Sequence, residues 1–289
     1  MVIKGKKEYE MEAQSELKET LKSFQAEGNK KINVNTLIEQ MLYQIGSTDA
    51  ELRDNLIYRT FGKLIMKEAL TIQQLEYIMS TCLREDYLFY RIGEKEGDGV
   101  FTRSFSSLVI ALLLEKDRET HYLPRQVAND AILQGIHYLY QEKDVRGYVE
   151  HKGWAHSVAH GADLLEAAIR HPLFELELAE SCLESVEACL FKGQVYIDDE
   201  DERLLIALEA LIERGLDEKV LTRWISKLSN SLQQVEDREG VTLAFVRQKT
   251  NVMNFLKSMY FRLMSKHVSS LPMEKLKEIV ERWHTKMYS

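Results

Sequence analysis

The sequence predicts an all-α protein: an irregular helical-repeat α-solenoid, HEAT-like or armadillo-like, of about eleven or twelve antiparallel helices. Three observations lead there. Apolar residues recur at three- and four-residue spacing through nearly the whole chain, the period of a helix with one buried face. The three prolines, Pro124, Pro172 and Pro272, each fall near an expected helix end. Alternating β-branched runs are few, which argues against any large sheet.

Turn and capping signals divide the chain in order. Asn33 or Asn35 can cap a helix carrying Leu37, Ile38, Met41, Leu42 and Ile45 that stops near Gly46. Asp49 can open the next, through Leu52, Leu56, Ile57 and Leu64, and Thr71 with Gln74 has capping-box form ahead of Leu75, Ile78 and Leu83. A loop from about Asp86 to Phe101 holds Gly93, Gly97 and Gly99 and leads into a very apolar helix beginning near Arg103. Pro124 sits in a first turn, and a histidine-bearing helix is expected from Gly153 to just before Pro172. Helices then follow at about Glu175 to Leu190, Asp199 to Arg214, Asp217 to Val235, Val241 to Lys266 and Pro272 onward. Short turns between long helices impose antiparallel packing, and pairs recur every ~40 residues. No long linker interrupts the pattern, so 1–289 reads as a single all-helical domain, with 1–10 as a disordered tail.

Composition narrows the function classes. With 45% hydrophobic residues over 289 positions, the chain can bury a core without disulfides or a structural metal. Cys82, Cys182 and Cys189 are an odd, sparse set that suits a reducing compartment, so a cytoplasmic location is expected. The N-terminal Val2 and Ile3 give way at once to Lys4, Lys6 and Lys7, unlike an export signal. The longest apolar run, Leu108 to Leu114, falls far short of the ~20 residues a membrane span needs. A formal charge of −8 disfavours nucleic-acid binding, which rests on a basic surface.

One segment, Asp144 to Asp163, gathers glycine, aromatic, arginine and histidine residues beyond what helix packing requires. On a helical wheel begun at Gly153, Trp154, Val158, Leu165 and Ile169 share one arc, and His156, His160, Asp163 and Arg170 share the opposite one. Ala155, Ala159, Gly161 and Ala162 are small enough for a neighbouring backbone to come close. Histidines at i and i+4 can share one metal ion such as zinc, with Asp163 as third ligand or His151, His137 or a distant carboxylate in its place. The stretch reads His-Ser-Val-Ala-His, so it lacks the glutamate base of the zinc proteases. Arg146, in a glycine-containing loop ahead of a helix, offers a place for an anion on which Arg103 could converge. The plainer reading is an Asp144–Arg146 ion pair that fixes the loop.

Other signals read as structure. The Gly93 to Gly99 loop has no P-loop ending, and Asp198 to Glu202 lacks an EF-hand glycine and is explained by the dipole of the helix it opens. Cys182 and Cys189 share a helix face and read as core.

The sequence resembles the uncharacterised bacterial family known as domain of unknown function 2785. The resemblance rests on Val100-Phe-Thr-Arg-Ser-Phe-Ser106, Asp144-Val-Arg-Gly147, Gly153-Trp-Ala-His-Ser-Val-Ala-His-Gly-Ala-Asp-Leu-Leu165, and Asn251 with Phe255-Leu256 and Tyr260. It implies a helical fold without an assigned activity, and it singles out Arg103, Arg146, Trp154, His156, His160, Asp163 and Asn251 as positions matching the family's pattern. The expected function is a binding or interaction module. Its ligand-binding residues are Arg103, Arg146, Trp154, His156, His160 and Asp163 on a concave face, and its partner is a protein or a small anionic ligand. The alternative is a metal-dependent hydrolase with His156, His160 and Asp163 as ligands.

Overall fold

The computed structural model describes residues 2–27, 32–266 and 270–288, and twelve α-helices lie among them. Their starts follow the side chains that satisfy the first free backbone N–H groups. Asn33 caps α2 (Val34–Tyr43) by accepting from Asn35 N at 3.0 Å and Thr36 N at 3.3 Å. Thr71 and Gln74 form a reciprocal capping box on α4 (Ile72–Cys82). Asp49 Oδ1 accepts from Leu52 N at the start of a π-helical stretch, Glu51–Tyr58, that runs straight into α3 (Arg59–Met66). A plain helix was expected there. Helix α1 (Val2–Glu27) begins within the stretch read as a tail.

The central helices are α5 (Gly99–Thr120), which starts four residues before Arg103, and α6 (Arg125–Gln141), with Pro124 at its cap. A two-stranded hairpin of β1 (Tyr148–Val149) and β2 (Gly153–Trp154) precedes α7 (Ser157–Arg170). A 3-10 turn, Leu176–Leu178, leads into α8 (Ala179–Leu190). Beyond it come α9 (Glu200–Glu213), α10 (Glu218–Glu239), α11 (Leu243–Ser265) and α12 (Ser270–Tyr288).

Helix α7 lies at the centre, packed against α5, α6 and α9. Its small residues permit this: a Cβ on Gly161 would stand 2.9 Å from Leu139 Cδ1 and 3.0 Å from Tyr138 Cε1, closer than carbon atoms tolerate. Val158, Leu164, Leu165 and Ile169 are fully buried there, in a core that runs continuously from Leu17 on α1 to Trp283 on α12. Each such side chain contributes roughly 1.5–3 kcal/mol by leaving water. Cys82, Cys182 and Cys189 are buried and unpaired, in keeping with a core role. Among the described residues no helix is long and apolar enough to cross a membrane.

Candidate functional site

The helix expected from Gly153 begins instead at Ser157, and the reason lies about a hundred residues upstream. Arg53, fully buried against the rings of Phe101 and Phe105, donates to the carbonyls of Lys152 (2.8 Å) and Trp154 (3.2 Å). Asp54 beside it takes the Trp154 N–H. Backbone groups anchored this way favour an extended path over a helical turn, and the chain pairs with itself: Tyr148 opposes Trp154, and Val149 opposes Gly153. The pairing continues through Ala155 N to Gly147 O and His156 N to Arg146 O. Val100, Phe101 and Ala155 form a small separate core under the hairpin, with Val149 packed on it.

His156 is therefore the N-cap of α7 rather than a helical residue, in the left-handed region at φ 45°. A β-carbon there costs about 1–2 kcal/mol, a strain usually left to glycine. Its ring stacks on Trp154, with centroids 4.2 Å apart and an interplanar angle of 28°, and Trp154 meets Tyr148 edge-on. Trp154 keeps 39% of its surface exposed and Tyr148 58%, so the hairpin shows an aromatic face to solvent.

His160 does not point away from the core, as the wheel implied. It lies one helical turn inside α7, its Nδ1 2.6 Å from Ser104 Oγ and its ring edge-on to Phe105. Ser104 in turn donates to the Ala155 carbonyl. Burial first, then the facing His156, Arg203 and Arg53, hold the His160 imidazole well below the ordinary histidine range. Asp163 accepts two hydrogen bonds from Arg203 on α9, at 2.6 and 2.7 Å, while burial pushes its carboxyl up against that stabilising charge. Arg170, the fourth member of the expected ridge, pairs with Glu166 and Glu213.

Neither arginine joins the histidines. Arg103 and Glu142 are both 0% exposed and form a two-pronged ion pair at 2.8 and 2.9 Å. The remaining Arg103 nitrogen donates to the carbonyls of Tyr90 and Arg91. Arg146 clasps Asp144 and donates to Gly97 O at 2.7 Å, so it fastens the glycine loop to the segment leading into the hairpin. The ion pair weighed as the plainer reading is present, and both guanidinium groups are already neutralised by carboxylates.

What stands against His156 is the acidic run assigned to the helix dipole alone. Asp199, at φ 66°, is the N-cap of α9, and the turn it makes carries Asp198 and Glu200 to the histidine. One ligand atom from each of His156, Asp198 and Glu200 lies within 4.8 Å of the others. Glu200 is 2% exposed, and its Oε1 faces His156 Nε2 across 4.0 Å, too far for a hydrogen bond. His156 Nε2 is shielded from solvent and has no partner. Burial holds the His156 imidazole below its usual range, against the nearby Asp198 charge that raises it, and holds the Glu200 carboxyl above its own. Asp198 is fixed in turn: its Oδ2 accepts from Tyr148 N, and its N donates to Glu200 Oε2. Asn251 on α11 braces the approach to it, accepting from Tyr196 N at 3.0 Å and donating to Gln194 O at 2.6 Å. Of the expected metal set of His156, His160 and Asp163, His160 Nδ1 is thus engaged by Ser104 and Asp163 by Arg203, and among the described residues the group whose ligand atoms come together is His156, Asp198 and Glu200.

These features define a class: an all-α protein whose polar centre is held where two helices begin, by a hairpin clamped from behind. The chain belongs to the family described as "Protein of unknown function (DUF2785)", whose model matches residues 88–261, from before α5 to the end of the Asn251-bearing stretch of α11. No curated protein and no solved structure matches the chain.

Proposed function

We propose that the chain is a binding module whose site is the His156 face, formed by Tyr148, Trp154, His156, Asp198 and Glu200 where α7 and α9 begin. One observation carries this. Arg53, Asp54, Asn251 and the Tyr148 amide all fix the surroundings of a strained histidine whose Nε2 is left without a hydrogen bond. Folding alone gains nothing from that, because an unpaired buried polar atom costs about 1–3 kcal/mol. His160 and Asp163 support the face from behind. Arg103 and Arg146 hold the loops around it, and because both are neutralised, the face favours a cation or a hydrogen-bond donor over the small anion first considered.

The helix contacts support a repeat stack as the scaffold. α3, α5, α7, α9 and α11 each touch the next in that order, while α2 with α4, α6 with α8, and α10 with α12 pair alongside. Such an order suits an irregular α-solenoid in a single domain. The unpaired cysteines suit a cytoplasmic setting. A hydrolase working through the His156/His160 pair is the weaker reading, since His160 Nδ1 is engaged by Ser104 and the two rings stand perpendicular.

The test is a thermal-shift comparison of wild type with Trp154→Ala across panels of metabolites and candidate partners. A ligand that stabilises wild type, and loses that effect in a variant of unchanged melting temperature, supports the reading. Ligands that stabilise both proteins alike would refute it.

A further inference from the structure

We propose that His156, Asp198 and Glu200 together bind one divalent transition-metal ion, of the zinc or manganese kind. The inference rests on the binding reading of the His156 face and names its occupant.

The donor set has the right chemistry. One imidazole and two carboxylates suit a borderline cation, whereas calcium and magnesium sites are built from oxygen alone. The spacing is close to that of a bound site. Ligand atoms about 2.1 Å from one ion stand about 3.4 Å apart in a tetrahedron and about 4.2 Å apart when trans. The His156 Nε2 to Glu200 Oε1 gap of 4.0 Å lies between these, and the 4.8 Å limit on the trio closes with side-chain movements of about 1 Å.

Each carboxylate also has an outer partner, as metal-binding carboxylates ordinarily do. Asp198 Oδ2 is turned by the Tyr148 amide and Glu200 Oε2 by the Asp198 amide, which leaves the opposite oxygen of each carboxylate for the ion. The unpartnered His156 Nε2 points into the same space. A hydrogen bond does not explain why the imidazole faces the Glu200 carboxylate, because the two atoms stand 4.0 Å apart, beyond hydrogen-bond reach. With a −2 charge from the two carboxylates, a divalent cation leaves the trio neutral.

The experiment titrates full-length, tag-free, chelator-treated protein with zinc chloride and with manganese chloride in a calorimeter. The expected result is one ion per chain, with affinity reduced at least 100-fold in Glu200→Gln and at least 10-fold in Asp198→Asn. Glu202→Gln, in the same acidic run but paired with Arg262, is expected to bind within threefold of wild type. Circular dichroism melts identify any variant that fails to fold; both ligand substitutions preserve shape, so at least one remains readable. Uptake that is absent in wild type, or equal in wild type and Glu200→Gln, overturns the ion. The metal-free comparison of wild type with Trp154→Ala then judges the binding face separately.

Discussion

Glu142→Gln is the perturbation whose size follows most directly from the structure. Both Glu142 and Arg103 are 0% exposed, and the carboxylate accepts two guanidinium hydrogen bonds as well as the Lys143 and Asp144 amides at 2.9 Å each. A glutamine keeps one oxygen and turns an NH2 toward donors, so the guanidinium loses its facing charge while remaining buried. Removing one partner of a buried pair costs about 3–5 kcal/mol. Asp144 lies near enough to raise the Arg103 pKa, so some negative charge remains and the lower end of that range is expected. Urea unfolding followed by circular dichroism reads the loss. The Arg103→Met/Glu142→Gln double variant is expected to lose about 2 kcal/mol less than the two single losses added, because the unpaired cation is gone. A loss under about 1 kcal/mol for Glu142→Gln, with an unchanged m-value, would show that this pair does not hold α5 to the hairpin approach.

Two further outcomes follow from the site. The folded His160 pKa lies well below its unfolded value, so between about pH 6.5 and 5 the unfolded chain takes up a proton that the folded chain refuses. Stability is full above that window and falls as pH drops through it, by at most about 1.4 kcal/mol per pH unit for this residue. Wild type is therefore expected to show a steeper acid loss than His160→Asn when both are melted in denaturant from pH 7.5 to 5, and parallel curves would sink the assignment. Gly147→Ala would set a methyl 2.0 Å from Asp198 Oδ2, so the carboxylate must move. It is expected to cost about 1–3 kcal/mol in chemical denaturation and to weaken any zinc affinity in step with Asp198→Asn. An alanine variant that matches wild type in both would refute that close approach.

The helices were legible because their evidence is local: the Asn33 cap, the Thr71/Gln74 box and the buried Val158, Leu165 and Ile169 arc all lie within a turn or two of what they determine. The segment from Asp144 to Asp163 was also recognisable from composition. Its shape was not. A wheel assumes a helix from Gly153, and nothing nearby reveals that Arg53 will claim the carbonyls of Lys152 and Trp154. That clamp moves Trp154 off the apolar arc and turns His156 into a cap. The partners of His156 were missed for a related reason. Helix dipole was a sufficient local account of Asp198 to Glu202, and only the packing of α9 on α7 brings those acids to the imidazole. One partial signal was available: the family resemblance singled out Asn251, which the fold sets against the loop preceding Asp198, although nothing in the sequence tied the two together.

The Arg53 clamp makes the site depend on chain far from its own ligands. A fragment of residues 88–261 would contain Trp154, His156, Asp198, Glu200 and Asn251, yet the guanidinium that keeps β2 out of α7 would be missing. Residues 153–156 would then be free to extend the helix, carrying His156 toward the position a wheel assigns it and away from the two acids. The π-helical stretch that bears Arg53 thus serves as a splint: among its described residues the N-terminal third supplies none of the trio, and its docking is what keeps His156 at the cap, facing the two acids.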